Sequence, residues 1–409
     1  LIALKKYDEA ISSFARLREI DGNETRYIIA LAELSKIKKD YLSAVNFYME
    51  AYQVEPSRIE LLESAGRYAL QLKNKTKARG IFKNLSLQNP SQENYINIYS
   101  ELAIQSKSFD EAISHLQKLM TDNGESSNLK AKIGILHHTA GESEKGKNIL
   151  RDLFDKKELN AQHSLSLFEI YFDNKDNVNA AKISDEIITS FPEDWRGYYS
   201  RSLVFMDENE FKFAINILDP ISETFSNIFS IQYILGLCYS RIKMSDEAIN
   251  FYNRALTIRP NSINVLHSIA ILYDEIGEWI KSDKIYDQLI KNNPNDAQAY
   301  NNYAYSLVER NKDLERALSY AKEAVKLEPE NPSYLDTIGW AYYKMNDIKK
   351  ARAFIEKSIE IHGDNSVVLE HLGDILMKSN DSAQALVLYK KAYGLDKENF
   401  QLKKKAYPD

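Results

Sequence analysis

The stretch ILGLCYSRIKMSDEAINFYNRALTIRP, residues 234–260, decides the fold of this chain. It places Gly236 twelve residues before Ala248, an aromatic Tyr252 four residues after that alanine, and Pro260 at its end. None of these side chains is a common catalyst, so the pattern itself is the informative feature. Apolar and small residues spaced by three, four and seven are typical of amphipathic helices, and a terminal proline ends a helix. The stretch therefore predicts two helices joined by a turn.

The same spacing recurs along the chain with a period of 34 residues, if one inserted residue near 310 is allowed. One position in every unit is small, and its occupants are Ala10, Ala44, Ala78, Ala112, Gly146, Ala180, Ala214, Ala248, Ser282, Ala317, Ala351 and Ala385. Missing side-chain volume at such positions lets two helix backbones approach each other closely. A pattern repeated in this way predicts a row of antiparallel helix pairs.

This iterated spacing resembles the tetratricopeptide repeat family over nearly the whole chain. The resemblance implies an all-α solenoid, a right-handed superhelix of antiparallel helix pairs with a 34-residue period. Counting in phase predicts complete units that start at residues 25, 59, 93, 127, 161, 195, 229, 263, 297, 332 and 366. Residues 1–24 then form the second helix of a partial unit, with Leu1, Ile2 and Leu4 as the remnant of its first helix.

The units fall into five segments along the chain. We expect a partial repeat over 1–24, three repeats over 25–126, a degenerate repeat over 127–160, seven repeats over 161–399 and a tail over 400–409. The degenerate repeat has Gly146 at the small position, His137 where an aromatic residue or leucine is usual, and no closing proline. Because helix propensity is poor there, a hinge is predicted near residues 121–160.

Composition limits the function classes. The 53 basic and 59 acidic residues give a net charge of -6, which supplies no general attraction for nucleic acid. Cys238 is the single cysteine, so an internal disulfide and a multi-thiolate metal site are excluded. The sequence contains no run of about 18 apolar residues, so no membrane span is predicted. Because Leu1 falls inside a unit, we expect more repeat and a targeting segment or lipid anchor upstream.

Motifs for catalysis are weak. GESEKGKN, residues 141–148, matches most of a phosphate-binding loop, but it ends in Asn148 where a hydroxyl should contact magnesium, and no strand is predicted before it. The seven histidines form no H-x-x-x-H or H-E-x-x-H pair, and no G-x-S-x-G elbow occurs. We therefore predict a protein that is not an enzyme, with no catalytic residue, cofactor or metal site.

The first helix of each pair should face the inside of the superhelix with its second, fifth, ninth and twelfth places. In the C-terminal half these places hold mostly aromatic and apolar side chains, and the candidate partner-binding residues are Tyr199, Leu203, Met206, Tyr233, Leu237, His267, Asn301, Tyr305, Asp336, Trp340 and Tyr343. Two interpretations stay open. Neighbouring first helices cover these residues, or the residues line a concave groove that binds a peptide.

A narrower resemblance covers residues 301–376, which contain NNYAYSLVER, YLDTIGWAYYK and LEHLGDIL at repeat spacing. This block is similar to the C-terminal repeats of bacterial envelope tetratricopeptide lipoproteins, including outer-membrane adaptors of a processing protease. It implies a scaffold that binds protein or peptide partners, in the periplasm or anchored at the outer membrane, with the cytoplasm as the alternative location. The alternative function is the recognition arm of a larger enzyme or export machine, as resemblance to glycosyltransferase and polysaccharide-export superhelices allows.

Overall fold

The computed structural model describes residues 5–22 and 24–408, and all regular structure in those ranges is helical. The predicted helix remnant at residues 1–4 lies outside the described residues. The helices are α1 (Tyr7–Asp21), α2 (Thr25–Ile37), α3 (Tyr41–Val54), α4 (Ile59–Gln71), α5 (Lys75–Gln88), α6 (Glu93–Gln105), α7 (Phe109–Asn123), α8 (Ser127–Thr139), α9 (Ser143–Asp155), α10 (Ala161–Asp173), α11 (Asn177–Ser190), α12 (Trp195–Asp207), α13 (Phe211–Leu218), α14 (Phe229–Arg241), α15 (Ser245–Ile258), α16 (Ile263–Glu275), α17 (Trp279–Asn292), α18 (Ala297–Glu309), α19 (Leu314–Leu327), α20 (Pro332–Lys344), α21 (Ile348–His362), α22 (Ser366–Lys378), α23 (Ser382–Leu395) and α24 (Phe400–Ala406).

The helices pack as consecutive pairs, and the first helix of each pair begins at the residue that the 34-residue period predicts. The agreement runs from Thr25 at the start of α2 to Ser366 at the start of α22. The chain forms two compact units, Leu1–Val204 and Phe205–Asp409. The pairs from α2 to α11 lie in the first unit, and those from α14 to α23 lie in the second.

The small residues in register are all buried. Nine of the alanines, from Ala44 to Ala385, have no exposed surface, and Ser282 has none. Gly236, twelve residues before Ala248, lies directly against an aromatic ring: a Cβ atom there would come within 2.5 Å of Cδ1 of Tyr252. The glycine therefore makes room for the tyrosine that follows the small position by four residues.

The turn inside a pair has a recurring geometry, well shown between α2 and α3. Lys39 adopts the left-handed conformation with φ 60°, and the N–H of Asp40 donates to the carbonyl of Ser35 at 2.9 Å. The Asp40 side chain then accepts from the N–H of Ser43 and so caps α3. Gly141, which belongs to the candidate phosphate loop, occupies the equivalent position between α8 and α9 with φ 95°. The repeat geometry thus explains that glycine.

The inserted residue lies in the turn between α18 and α19. This turn comprises the four residues 310–313, whereas the turn between α2 and α3 comprises three. Asn311 and Asp313 both have a left-handed backbone, with φ 49° and 45°. Asp313 still caps α19 by accepting from the N–H of Arg316. The extra residue is therefore absorbed in the turn, and the helices on both sides keep their phase.

Two elements differ from a regular repeat. α13 ends at Leu218, where Pro220 lies in a short 3₁₀ turn over Asp219–Ile221, because proline lacks the N–H that would continue the α-helix. The predicted tail contains a helix, α24, which packs on α23 and buries Leu402 and Ala406.

The degenerate repeat over 127–160 lies within the first unit. Its two helices approach closely, because a Cβ atom on Gly146 would lie 2.4 Å from the carbonyl oxygen of Gly134. The hinge near residues 121–160 stays a prediction.

Candidate functional site

An open pocket of 480 Å³ lies in the second unit, where the first helices of three consecutive pairs, α16, α18 and α20, face a common space. The start of α17 borders it. We call it the α18 pocket and define it by Ile271, Trp279, Asn301, Tyr305, Glu309 and Asp336. Three of the predicted site residues, Asn301, Tyr305 and Asp336, are therefore brought together here.

One stripe of α18 forms the floor of the pocket. Asn301, Tyr305 and Glu309 follow one another at intervals of four residues, a spacing that aligns side chains on one helix face. Asn301 is only 8% exposed, and its Oδ1 atom has no hydrogen-bond donor among the described residues. Its Nδ2 group reaches Oδ1 of Asn302 at 3.5 Å. Along this face of α18, the stripe thus presents a buried acceptor, then an aromatic ring and then a carboxylate.

The electrostatic character of the pocket is negative. Four carboxylates line it, those of Asp274, Glu275, Glu309 and Asp336. The cation at its wall, Arg310, is committed elsewhere, since its Nη2 donates to Oδ1 of Asp283 at 2.6 Å. Burial raises the pKa of the Tyr305 phenol, and the nearby charges of Glu309 and Asp336 raise it further. A cation entering the pocket would meet carboxylates that outnumber the basic groups.

All four carboxylates take part in a hydrogen bond, and the buried Asp336 and the partly buried Asp274 are the less accessible two. Asp336 is buried, and its Oδ1 lies 2.9 Å from Nδ1 of His371. Asp274 accepts from the hydroxyls of Ser282 and Ser306 through the same Oδ1 atom. Glu275 and Glu309 are exposed, so they are the acidic groups that an entering molecule would contact first.

Trp340 differs from the expected exposed anchor. It is 6% exposed and belongs to the core of the second unit. Its ring stacks on His371 and on Tyr343, with centroids 3.9 and 4.6 Å away, and its Nε1 donates to Oε1 of Glu309 at 2.6 Å. These contacts leave neither face of the ring free for a partner. Of the two interpretations, coverage by neighbouring first helices therefore applies to Trp340.

His267 is also buried, with its Nε2 atom 3.1 Å from Oδ2 of Asp296. Tyr233 is half-buried and stacks on Phe229 at 5.8 Å. The remaining predicted residues are partly covered and lie away from the pocket lining; they are Tyr199 and Leu203 in the first unit, and Met206, Leu237 and Tyr343 in the second. Of the predicted set, Asn301, Tyr305 and Asp336 line the α18 pocket, and the other residues do not.

Trp279, Glu275 and Glu309 are among the lining residues that the sequence prediction missed. Trp279 is 50% exposed and starts α17, outside the inner places of the first helices. Glu275 and Glu309 occupy the thirteenth place of their units, four residues after Ile271 and Tyr305. That spacing of four was the available signal, because it continues the same helix face by one turn.

The first unit has a pocket of its own, of 450 Å³, on α6, α8 and α10. Asn97 and Glu101 line it together with Lys132 and the buried His163. Burial lowers the pKa of Lys132, an effect that the charges of Glu93 and Glu101 oppose. This pocket combines a lysine with a carboxylate, so its charge is mixed.

Two kinds of functional element are absent from the described residues. Within residues 5–22 and 24–408, no group of three histidine, cysteine or acidic side chains is arranged to hold a metal ion. No helix in those same ranges has the length and apolar character needed to cross a membrane.

Comparison with known proteins identifies the repeats. Family models described as tetratricopeptide repeat match residues 229–262, 285–319, 332–365 and 368–399. Each matched segment contains α-helices of one or two consecutive pairs. The chain thus contains tetratricopeptide repeats, as its 34-residue period predicts.

Curated relatives are distant. The chain is 22% identical over 378 residues to the TPR repeat-containing protein MJ1428 of Methanocaldococcus jannaschii, which covers 83% of this chain and 64% of that protein. It is 32% identical over 85 residues to the uncharacterized protein ycf37 of Pyropia yezoensis, or 21% of this chain and 46% of that one. The chain thus spans less than two thirds of the length of either relative.

Solved structures share the fold. A tetratricopeptide repeat protein from Parabacteroides merdae matches with a TM-score of 0.54 and 15% identity, over 60% of this chain and 97% of that chain. The APC/C hetero-tetramer Cut9–Hcn1 matches with a TM-score of 0.50 and 11% identity, over 99% of this chain and 93% of that chain. These similarities establish the fold type, a tetratricopeptide-repeat solenoid built of helix pairs.

Proposed function

We propose that this protein is a non-enzymatic scaffold that binds a partner protein or peptide, and that the α18 pocket is a principal contact site. The observation that carries the proposal is the stripe of Asn301, Tyr305 and Glu309, which presents a buried acceptor without a donor beside a half-buried aromatic ring. A buried polar atom without a partner costs about 1 to 3 kcal/mol, and a bound partner can satisfy it.

The shape and chemistry of the pocket also support a binding role. Ligand sites are concave, mostly apolar and equipped with a few convergent polar groups. Ile271 and Trp279 supply exposed apolar surface at the edge of the pocket, and Asn301 supplies the polar group at its floor. Rigid aromatic residues such as Tyr305 often dominate the binding free energy of protein interfaces. The use of this fold in the Cut9–Hcn1 hetero-tetramer is consistent with a protein partner.

Photo-crosslinking in the organism that carries the gene tests the proposal. A photoreactive phenylalanine derivative is placed at position 305, inside the pocket, and in a separate variant at position 300. Tyr300 is a matched control, since it is also a half-buried tyrosine of α18 but contacts the Tyr320 ring outside the pocket lining. We expect discrete crosslinked proteins from position 305 alone, whose binding is then measured with purified components. Identical crosslinks from both positions, or none from 305, would contradict the proposal.

We extend the proposal to a location in the bacterial envelope, on the periplasmic side of the outer membrane. The support is the resemblance of residues 301–376 to the repeats of envelope lipoproteins. Cell fractionation of the native full-length gene product tests this location. Recovery of the protein in the cytoplasmic fraction would contradict it and leave the scaffold proposal standing.

A further inference from the structure

We propose that the α18 pocket selects a basic side chain, lysine or arginine, from an extended segment of the partner, and that Asn301 binds the backbone of that segment. The inference rests on the proposed function, since it assumes that the pocket is a partner-binding site. It adds the chemical class of the partner.

The exposed charge at the edge of the pocket is acidic. Glu275 and Glu309 are both exposed, and Glu309 keeps one oxygen bonded to the indole N–H of Trp340. Glu275 has a partner in Lys243, at 3.5 Å, but that lysine side chain is itself 78% exposed. An exposed ion pair of this kind contributes little free energy, so an entering cation can compete for Glu275.

Among the described residues that line the pocket, no free cation balances these carboxylates. The Arg310 guanidinium is paired with Asp283, and it also donates through Nε to the carbonyl of Ser306 at 3.0 Å. His371 lies behind Asp336 and hydrogen-bonds it, so any charge on that imidazole is matched by the Asp336 carboxylate. The acidic edge therefore favours a basic group and disfavours an acidic one.

Apolar surface lies next to this acidic edge. Ile271 is 38% exposed, and the Trp279 ring is half exposed, with the Arg310 guanidinium carbon 5.8 Å from the ring centroid. Lysine and arginine bury their methylene stems on apolar surface while the charged head stays near water or a carboxylate. A basic side chain of this length can cover Ile271 and Tyr305 with its stem and reach Glu309 with its head.

The floor of the pocket requires a hydrogen-bond donor. Oδ1 of Asn301 is buried and accepts no hydrogen bond within the described residues. The backbone N–H of an extended segment is a donor that every residue except proline supplies. A backbone contact at Asn301 would hold the segment in place, while the acidic edge selects the side chain that follows.

Three pools of synthetic peptides, blocked at both ends, test the inference on the immobilised full chain. Each pool has one fixed central residue, arginine, norleucine or glutamate, and flanks randomised over uncharged residues other than cysteine. We expect the arginine pool to be retained at least about fivefold more than the norleucine pool at low salt, and the glutamate pool least. Equal retention of the arginine and norleucine pools would overturn the inference.

Variants locate the preference. Glu275→Gln combined with Glu309→Gln should reduce retention of the arginine pool to that of the norleucine pool, and the amide introduced at position 309 keeps an oxygen for the Trp340 N–H. Glu315→Gln combined with Glu330→Gln is the matched control, because both residues are exposed, carry the same charge and lie outside the pocket lining. A preference that survives in the first double variant would also overturn the inference.

The outcome separates this inference from the proposed function. If arginine and norleucine pools are retained equally and Tyr305→Ala releases both, the pocket binds peptides without charge selection, and only the inference fails. If no pool is retained above resin that lacks the chain and position 305 gives no crosslink, both proposals fail.

Asn301→Ala should lower retention of the arginine and norleucine pools by the same factor, as expected for a backbone contact. Circular dichroism verifies that each variant is folded.

Discussion

The indole Nε1 of Trp340 donates to Oε1 of Glu309 at 2.6 Å, which joins α20 to α18 at the edge of the α18 pocket. A buried tryptophan usually needs a partner for its N–H group, and Glu309 provides it. The bond also fixes the position of a carboxylate that lines the pocket. Trp340 therefore acts through packing and through Glu309, and Tyr305 is the aromatic residue that faces the pocket itself.

Trp340→Ala should destabilise the second unit. Loss of a buried tryptophan side chain typically costs about 3 to 5 kcal/mol, and urea denaturation followed by circular dichroism measures it. Trp279→Ala is the matched control, since the same truncation at a half-exposed ring should cost well under half as much. Equal losses in the two variants would show that Trp340 contributes no more to the core than Trp279.

The contrast between these tryptophans shows what sequence spacing could predict. The small residues from Ala10 to Ala385 predicted the eleven helix-pair starts from Thr25 to Ser366, because a position that must be small tolerates few alternatives. Spacing also placed Trp340 and Tyr305 at the same ninth place of their units. It could not predict that the Trp340 ring stacks on His371, since that contact depends on a side chain 31 residues later. Trp279 was missed because it starts a second helix.

Tyr305→Ala should weaken binding of a partner that crosslinks at the pocket by at least about tenfold, with helical content unchanged. Truncation of a central aromatic anchor typically costs about 2 kcal/mol or more. Titration of the purified partner measures the effect, and Tyr300→Ala on the same helix serves as the control. A Tyr305→Ala variant that binds as tightly as the unmodified chain would remove this residue from the site.

Gly146→Ala and Gly80→Ala should change stability in opposite directions. A methyl group on Gly146 would meet the backbone of α8, so the helices must separate at a cost of about 1 to 3 kcal/mol. Gly80 has open space around it on α5, so alanine there should stabilise the first unit by about 0.5 to 1 kcal/mol. Urea denaturation of both variants gives the signs, and a stabilising Gly146→Ala would contradict the close approach of α8 and α9.

Acid should destabilise the first unit through two buried histidines. Burial lowers the pKa of His115 to about 4, with Lys83 and Lys118 acting in the same direction and Glu111 against it. Burial, with Lys132 nearby, likewise lowers the pKa of His163 to about 4. In the unfolded chain the same two histidines bind protons near pH 6.5. The free energy of unfolding is therefore highest above pH 6.5, and it decreases progressively as the pH falls towards 4.

Thermal denaturation at pH 7.5 and pH 5.0 measures this effect. The melting temperature should fall by about 5 °C or more at the lower pH, and His115→Gln combined with His163→Gln should remove most of the difference. His362→Gln is the control, because this histidine is exposed in the last turn of α21. If the double variant keeps the full pH dependence, other groups cause it.

The four-residue turn at 310–313 has a consequence for the history and the engineering of the chain. Asn311 and Asp313 take up the extra length with left-handed backbones. The insertion or deletion of one codon in this turn therefore leaves the buried faces of α18 and α19 in phase. Such turns are places where a repeat gene can gain or lose a codon without selection against misfolding. The same property makes residues 311–313 a suitable point for inserting a fluorescent label or an affinity tag close to the α18 pocket.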